Sequence, residues 1–290
     1  MCVLAVCAVF YSCTYDDQEP MDSKKQKTET VAQLTEQLKV YDKQFQRDGD
    51  QSKRIKILGY KFSLLDCLKI GIADVKGAIS GYKEGGTSQA VISACVASAT
   101  KLVEILDKKS AEIDKSKPSD AILKKNGVMN FNDSVGFYHI ASEKYLYNRC
   151  GQTIKNIQSI DLLCLSHSMM NQCSDGYKAA NSFNSSSFSN MAAKLHALRI
   201  LQDGKNDSYE TYYEKVRSLD KEDSDYLDFA SEYLYTALLG NVGDVKEYTN
   251  TVINQINRSN VASEDKIILT QSIYIAYSSV LFSNSIEIKE

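Results

Sequence analysis

The 290-residue chain predicts an all-α protein, a multi-helix bundle with an N-terminal hairpin of two helices rich in small residues. Three observations predict it. Apolar residues recur at spacings of three and four over most of the chain, the repeat of one helix face. No run shows the sustained period-two alternation of a half-buried strand. Two prolines, 14 glycines and no tryptophan suit helices better than a turn-rich β-sandwich.

The first helix is expected over Thr30–Arg47, where Val31, Leu34, Leu38, Tyr41 and Phe45 form one stripe and Gly49 follows. A second is expected over Ser52–Gly81, through Ile55, Leu58, Phe62, Leu65, Ile72 and Ile79. Glu84-Gly85-Gly86-Thr87 reads as a turn, and a third helix then runs from Ser88 to Asp114 before the Lys117-Pro118 pair. Gly71, Ala73, Gly77, Ala78 and Gly81 face this turn from one side, and Ala90, Ser93, Ala94, Ala97 and Ser98 from the other. Small residues at these spacings let two helix backbones approach closely. Gly71, Gly77, Gly81, Ala90, Ala94 and Ala97 are the expected contact positions.

Residues 115–131 are charged and carry a proline and a glycine, so they read as a linker between a hairpin region (30–114) and a C-terminal helical region (132–290). Asn132 or Asp133 is a cap candidate for a helix through Asn148, and another helix is expected over Ile154–Ala180. The Ser-rich run Ser182–Ser187 reads as a loop. Shorter helices follow over Ser189–Gln202, Ser208–Leu219, Ser224–Leu239 with Gly240 beyond, and Val242–Asn257. Ser263 opens the last, which runs to about Ser283, with Glu264 and Asp265 at the positive end of its dipole.

Composition narrows the function classes. Lys plus Arg is 34 against 37 acidic residues, a net charge of −3, which argues against a general nucleic-acid binder. Residues 1–12 (MCVLAVCAVFYS) are uncharged and apolar, too short to span a bilayer but of the length of a signal-peptide core. The basic segment that ordinarily precedes such a core is missing, which points to a start codon upstream. Val9-Phe10-Tyr11-Ser12-Cys13 resembles a bacterial lipobox, whose cysteine is lipidated, with Phe10 departing from the usual aliphatic residue. Asp16 and Asp17 behind Cys13 resemble the surface-export signal of Bacteroidetes lipoproteins. Residues 13–29 then read as a polar tether. The alternative is an N-terminal helix packed in the core.

No CxxC occurs among the eight cysteines, which disfavours a zinc ribbon or a thioredoxin-like site. Cys67 and Cys95 lie in apolar helical stretches and read as small core residues. Cys150, Cys164 and Cys173 lie close enough in sequence for one disulfide in an oxidising compartment.

The leader with Cys13, the small-residue hairpin and the segment Asn132-Asp133-Ser134-Val135-Gly136-Phe137-Tyr138-His139, with the closing Ser263–Ser279 helix, together resemble a group of uncharacterised helical lipoproteins of Bacteroidetes. The resemblance covers about half of the chain. It implies a lipid-anchored, helical, non-enzymatic protein of the outer membrane or cell surface, and supplies no activity. An Asn commonly follows the His in that group; Ile140 stands there, so no site is carried across.

Three histidines are present, none in an HExxH pattern. His139 and Glu143 share one helical face and are expected as a hydrogen-bonded pair on a helix surface. Cys164, His167 and Cys173 are too spread along one helix to hold a metal together. No GxSxG, P-loop or GxGxxG element occurs. Glu210, Glu214, Glu222, Asp223, Asp225, Asp228 and Glu232 are interleaved with lysines and read as a solvated face. The 18 tyrosines concentrate in the C-terminal third, where they either fill helix seams or offer a recognition surface for protein or glycan. No catalytic residue, metal or cofactor is expected. The leading expectation is a lipid-anchored interaction or scaffold module with an unknown protein or glycan partner. The second is a membrane-active or self-associating protein acting through the hairpin at 70–106, although Asp74, Lys76, Lys83, Lys101 and Glu104 interrupt its apolar run.

Overall fold

The computed structural model describes residues 28–45, 63–109, 112–113, 131–172, 185–201, 208–240, 242–285 and 288–289. Among them ten α-helices form an all-α bundle: α1 Val31–Asp42, α2 Leu64–Gly85, α3 Thr87–Lys109, α4 Phe131–Cys150, α5 Ser159–Gln172, α6 Ser185–Arg199, α7 Tyr209–Ser218, α8 Ser224–Leu239, α9 Val245–Arg258 and α10 Ser263–Ser285. The leader, the tether to residue 27 and the linker at 114–130 lie outside the described residues.

Caps set several boundaries. The Thr30 side chain accepts from Gln33 N–H while the Gln33 side chain accepts from Thr30 N–H, a capping box that starts α1. Ser63 and Asp66 do the same for α2, well inside the expected start at Ser52, residues 52–62 being outside the described ones. α2 runs on past Gly81 through Gly85 because the reversal is made at Gly86 (φ 76°), a conformation that costs residues with a Cβ. The helix expected over Ile154–Ala180 is broken: Gly151 (φ 53°) opens a 3₁₀ turn, Gly151–Asn156, and extended Ile157 separates it from α5. Ser185–Ser187 belong to α6 rather than to a loop. One feature was not expected at all: Glu112–Ile113 pairs antiparallel with Ile288–Lys289.

The α2–α3 hairpin is the largest helix contact and the centre of the molecule. α10, α8, α6 and α7 pack on α2, and α4, α5 and α6 pack on α3. Helices from both the 30–114 and 132–290 regions therefore share one core, so 115–131 joins two parts of a single packed body. Every residue from Cys67 to Gly81 is buried. A helix that is apolar nearly all round is an interior helix. α3 carries Thr87–Lys108, long and apolar enough to cross a membrane by length and composition, and 89% of its 18-residue apolar window (mean hydropathy 1.4) is buried inside the protein.

The expected close approach is present at Gly77 and Gly81. A Cβ on Gly77 would lie 2.7 Å from the Ser93 carbonyl oxygen and 2.9 Å from the Ala94 Cα, and one on Gly81 would strike the Gln89 carbonyl. Ala90, Ala94 and Ala97 are buried opposite. Gly71 differs from expectation: it faces away from α3 and admits the Leu234 methyls of α8, 2.9 Å from where a Cβ would stand.

α1 lies on α8 and is tied at both ends. At its start Glu29 N–H donates to the Asn260 carbonyl (3.1 Å) and Asn260 N–H to the Glu29 carboxylate (3.2 Å). At its end the buried Asp42 takes the Tyr248 hydroxyl, 2.9 and 3.0 Å from its two oxygens. The Tyr248 ring stacks on Tyr233 and meets the edge of Phe45. Tyr209, Tyr212, Tyr233 and Tyr248 are all buried, so these rings fill helix seams, while Tyr235 stays exposed.

Candidate functional site

A helix buried all round has no wet face on which to place a charge, so each ionisable residue of α2 needs a partner from another element. Asp74, in the middle of α2, finds its partners on α4 and α10. Its Oδ2 accepts from the Ser279 hydroxyl, and its Oδ1 lies 3.6 Å from His139 Nε2. His139 Nδ1 is 3.0 Å from Ser278 Oγ, and Ser278 donates to the Ile275 carbonyl at 2.7 Å. One turn along α4, Glu143 Oε1 accepts from Ser98 of α3 at 2.5 Å. Asp74, His139, Ser98 and Glu143 are fully buried, and the two serines of α10 nearly so.

His139 and Glu143 thus share a helix face as their spacing predicts, but that face is the core rather than the surface, and the two side chains bond to different helices. Ser142 between them donates to the Met170 sulfur of α5, and Tyr147 donates to the Ala99 carbonyl at 3.1 Å. Burial, joined by the charge of Asp74, pushes the Glu143 carboxyl well above the ordinary carboxylate range against the opposing bond from Ser98. The Cys95 thiol and the Tyr147 phenol are likewise raised, chiefly by burial.

Ser278, His139 and Asp74 stand in the order hydroxyl, imidazole, carboxylate. Nucleophilic catalysis asks the imidazole to take the hydroxyl proton. Here the one hydrogen of Ser278 Oγ has two acceptors in reach, the Ile275 carbonyl at 2.7 Å and His139 Nδ1 at 3.0 Å.

A second buried constellation joins α2 to the α7–α8 connection. Lys76 Nζ lies 2.6 Å and Lys83 Nζ 2.5 Å from the two oxygens of Asp223, with Asp220 3.8 Å from Lys76. Asp223 was expected on a solvated face; it is fully buried, because two lysines of the central hairpin converge on it. Burial raises its carboxyl, but the two ammonium groups outweigh this and hold it below the usual range. Nearby, the Tyr212 ring receives Lys101 Nζ at 4.1 Å and Lys69 Nζ at 5.8 Å. Charged residues that interrupt the apolar run of the hairpin are therefore its interior ties.

Among the described residues a broad groove, about 640 Å³, lies between the Asn156–Ile160 segment and the end of α6. Ser189, Ala192, His196, Arg199 and Ile200 line its α6 side. Ile160 and Ile200 are exposed large apolar side chains. The Arg199 guanidinium fixes the opposite wall by donating to the Ile157 and Lys155 carbonyls.

Of the residues singled out from sequence, Cys13, Asp16, Asp17 and Cys173 lie outside the described residues. Cys164 is exposed on α5, and no disulfide joins it to Cys150. No group of three or more His, Cys, Asp or Glu able to hold a metal occurs among the described residues. Sequence reasoning missed Asp74 with Ser278 and Ser279, and Lys76 with Asp223. The available signal was a charge inside a helix whose neighbours are small or apolar on every side. No family model, curated protein or solved structure matches the chain.

Proposed function

We propose that the chain is a lipid-anchored protein of the cell envelope, tethered through Cys13, whose all-α domain is an interaction or scaffold module without catalysis of its own. The observation that carries the anchor is the uncharged apolar run Met1–Ser12 ahead of Cys13, with Asp16 and Asp17 and a polar segment behind it. The open groove beside Ile160 and Ile200 supports the module reading, because it offers apolar side chains next to His196 and Arg199, a surface suited to a protein or glycan partner. Metabolic labelling with an alkyne fatty acid, with any upstream codons included, tests the anchor. Label on the wild-type chain that is lost in Cys13→Ala is the expected result; an unlabelled wild-type chain overturns the proposal.

The second reading, a membrane-active hairpin, draws on the apolar stretch Thr87–Lys108 of α3. Insertion would first have to withdraw α3 from a core that buries most of that stretch, and free Lys76 and Lys83 from Asp223. Dye release from liposomes that disappears in Gly77→Leu is the result that favours it over the first reading.

A further inference from the structure

Two carboxyl groups, Asp74 and Glu143, are fully buried where α2, α3, α4 and α10 meet. Asp74 Oδ2 accepts from Ser279, and its Oδ1 lies 3.6 Å from His139 Nε2. His139 Nδ1 is 3.0 Å from Ser278 Oγ. Glu143 Oε1 is satisfied by Ser98, but its fully buried Oε2 has no hydrogen-bond partner. Among the described residues no lysine or arginine pairs with Glu143 or Asp74. An ionised Glu143 would be an uncompensated charge, so it holds a proton.

We propose that Glu143 is a buried proton-binding site at the junction of α2, α3, α4 and α10, whose one dissociable proton holds that junction closed and whose deprotonation loosens it. The groups facing the site are few. α2 contributes Asp74, α3 the Cys95 thiol and Ser98, α4 His139 and the Tyr147 phenol, α5 the Ser166 hydroxyl on Cys95, and α10 Ser278 and Ser279. Cys95 and Tyr147 are held neutral by the same burial, so neither supplies a compensating charge. The site stands in the core, apart from the leader and the groove, and does not depend on the lipid-anchor reading.

The sign follows from linkage. The native state keeps the Glu143 proton more tightly than the unfolded chain, so its stability is full below the ordinary Glu value and is lost as pH rises toward the native one. Over that window the folding equilibrium constant falls by up to about tenfold per pH unit. The test is a series of urea unfolding curves from about pH 5 to about pH 9 on the wild-type chain and Glu143→Gln, which keeps the shape and removes the dissociable proton. The wild-type constant is expected to fall with pH and the variant's dependence to be at least tenfold shallower across the range. Equal pH dependence in the two overturns the proposal. Should Glu143→Gln fail to fold, the infrared carbonyl band of a protonated carboxylic acid in the wild-type chain at about pH 8, above the Asp42 titration, decides: its presence supports the site and its absence overturns it.

Discussion

Replacing Gly77 by alanine adds one methyl group at the centre of the hairpin, where helix propensity and packing pull in opposite directions. Alanine is the better helix former by about 1 kcal/mol, so at an exposed position the change would stabilise. At Gly77 the new Cβ would lie 2.7 Å from the Ser93 oxygen and 2.9 Å from both the Ser93 carbonyl carbon and the Ala94 Cα. These are backbone atoms of α3, and no rotamer change moves them. Restoring an ordinary contact of about 3.5 Å requires the helices to part locally by roughly 0.8 Å, and gaps of that order forfeit a quarter to a half of the dispersion energy across them. With overpacking itself at about 1–3 kcal/mol, a net loss of about 1–3 kcal/mol remains after the propensity gain. Melting should fall by about 2–4 °C per kcal/mol. Gly85→Ala is the control, because its Cβ meets only the Gln89 side chain, which can swing aside. Urea unfolding followed by far-ultraviolet circular dichroism reads both variants. Gly77→Ala as stable as wild type, or Gly85→Ala equally damaging, would refute the close-approach argument.

Other substitutions test the interior ties. Asp42 is pushed up to about 6 by burial, against the bond from Tyr248, so its contribution is full below the ordinary Asp value and is lost as pH rises through about 6. Asp42→Asn should remove at most about 3 kcal/mol of pH dependence between about pH 4 and about pH 7, measured by unfolding across that range. Asp223→Asn strands Lys76 and Lys83 without their shared anion and should cost about 3–5 kcal/mol, read by thermal melting; a change under about 1 kcal/mol would show that water reaches those lysines. The Asp223 carboxyl is held low by those lysines, so this tie is present above the ordinary Asp value and weakens as pH falls below it.

What the sequence made legible was the helix inventory where caps and breakers are local. Ser224–Leu239 with Gly240 beyond was expected at the bounds observed, and Ser208 caps α7 at the expected place. It was less legible where the deciding atoms are distant. Asp74 and Lys76 read as charges that interrupt the apolar run of the hairpin, but their spacing alone cannot say that Ser279, 205 residues away, and Asp223, 147 residues away, will meet them. The interior position was nonetheless encoded. From Cys67 to Gly81 no face is consistently polar, and such a helix has to be enclosed, which turns each charge in it into a demand for a partner. The same reasoning would have moved His139 and Glu143 inward, since Val135, Tyr138, Ser142 and Leu146 around them are buried too.

The clamp between Glu29 and Asn260 also fixes how the molecule bears load. A pull on the chain ahead of residue 28 arrives first at two backbone-anchored bonds on the turn between α9 and α10, then at the side of α8 along which α1 lies. α1 would peel from that side one turn at a time, the Asp42–Tyr248 bond and the Phe45 edge contact giving way after its earlier turns. The N-terminal helix therefore stands in series ahead of the central hairpin in the line of force.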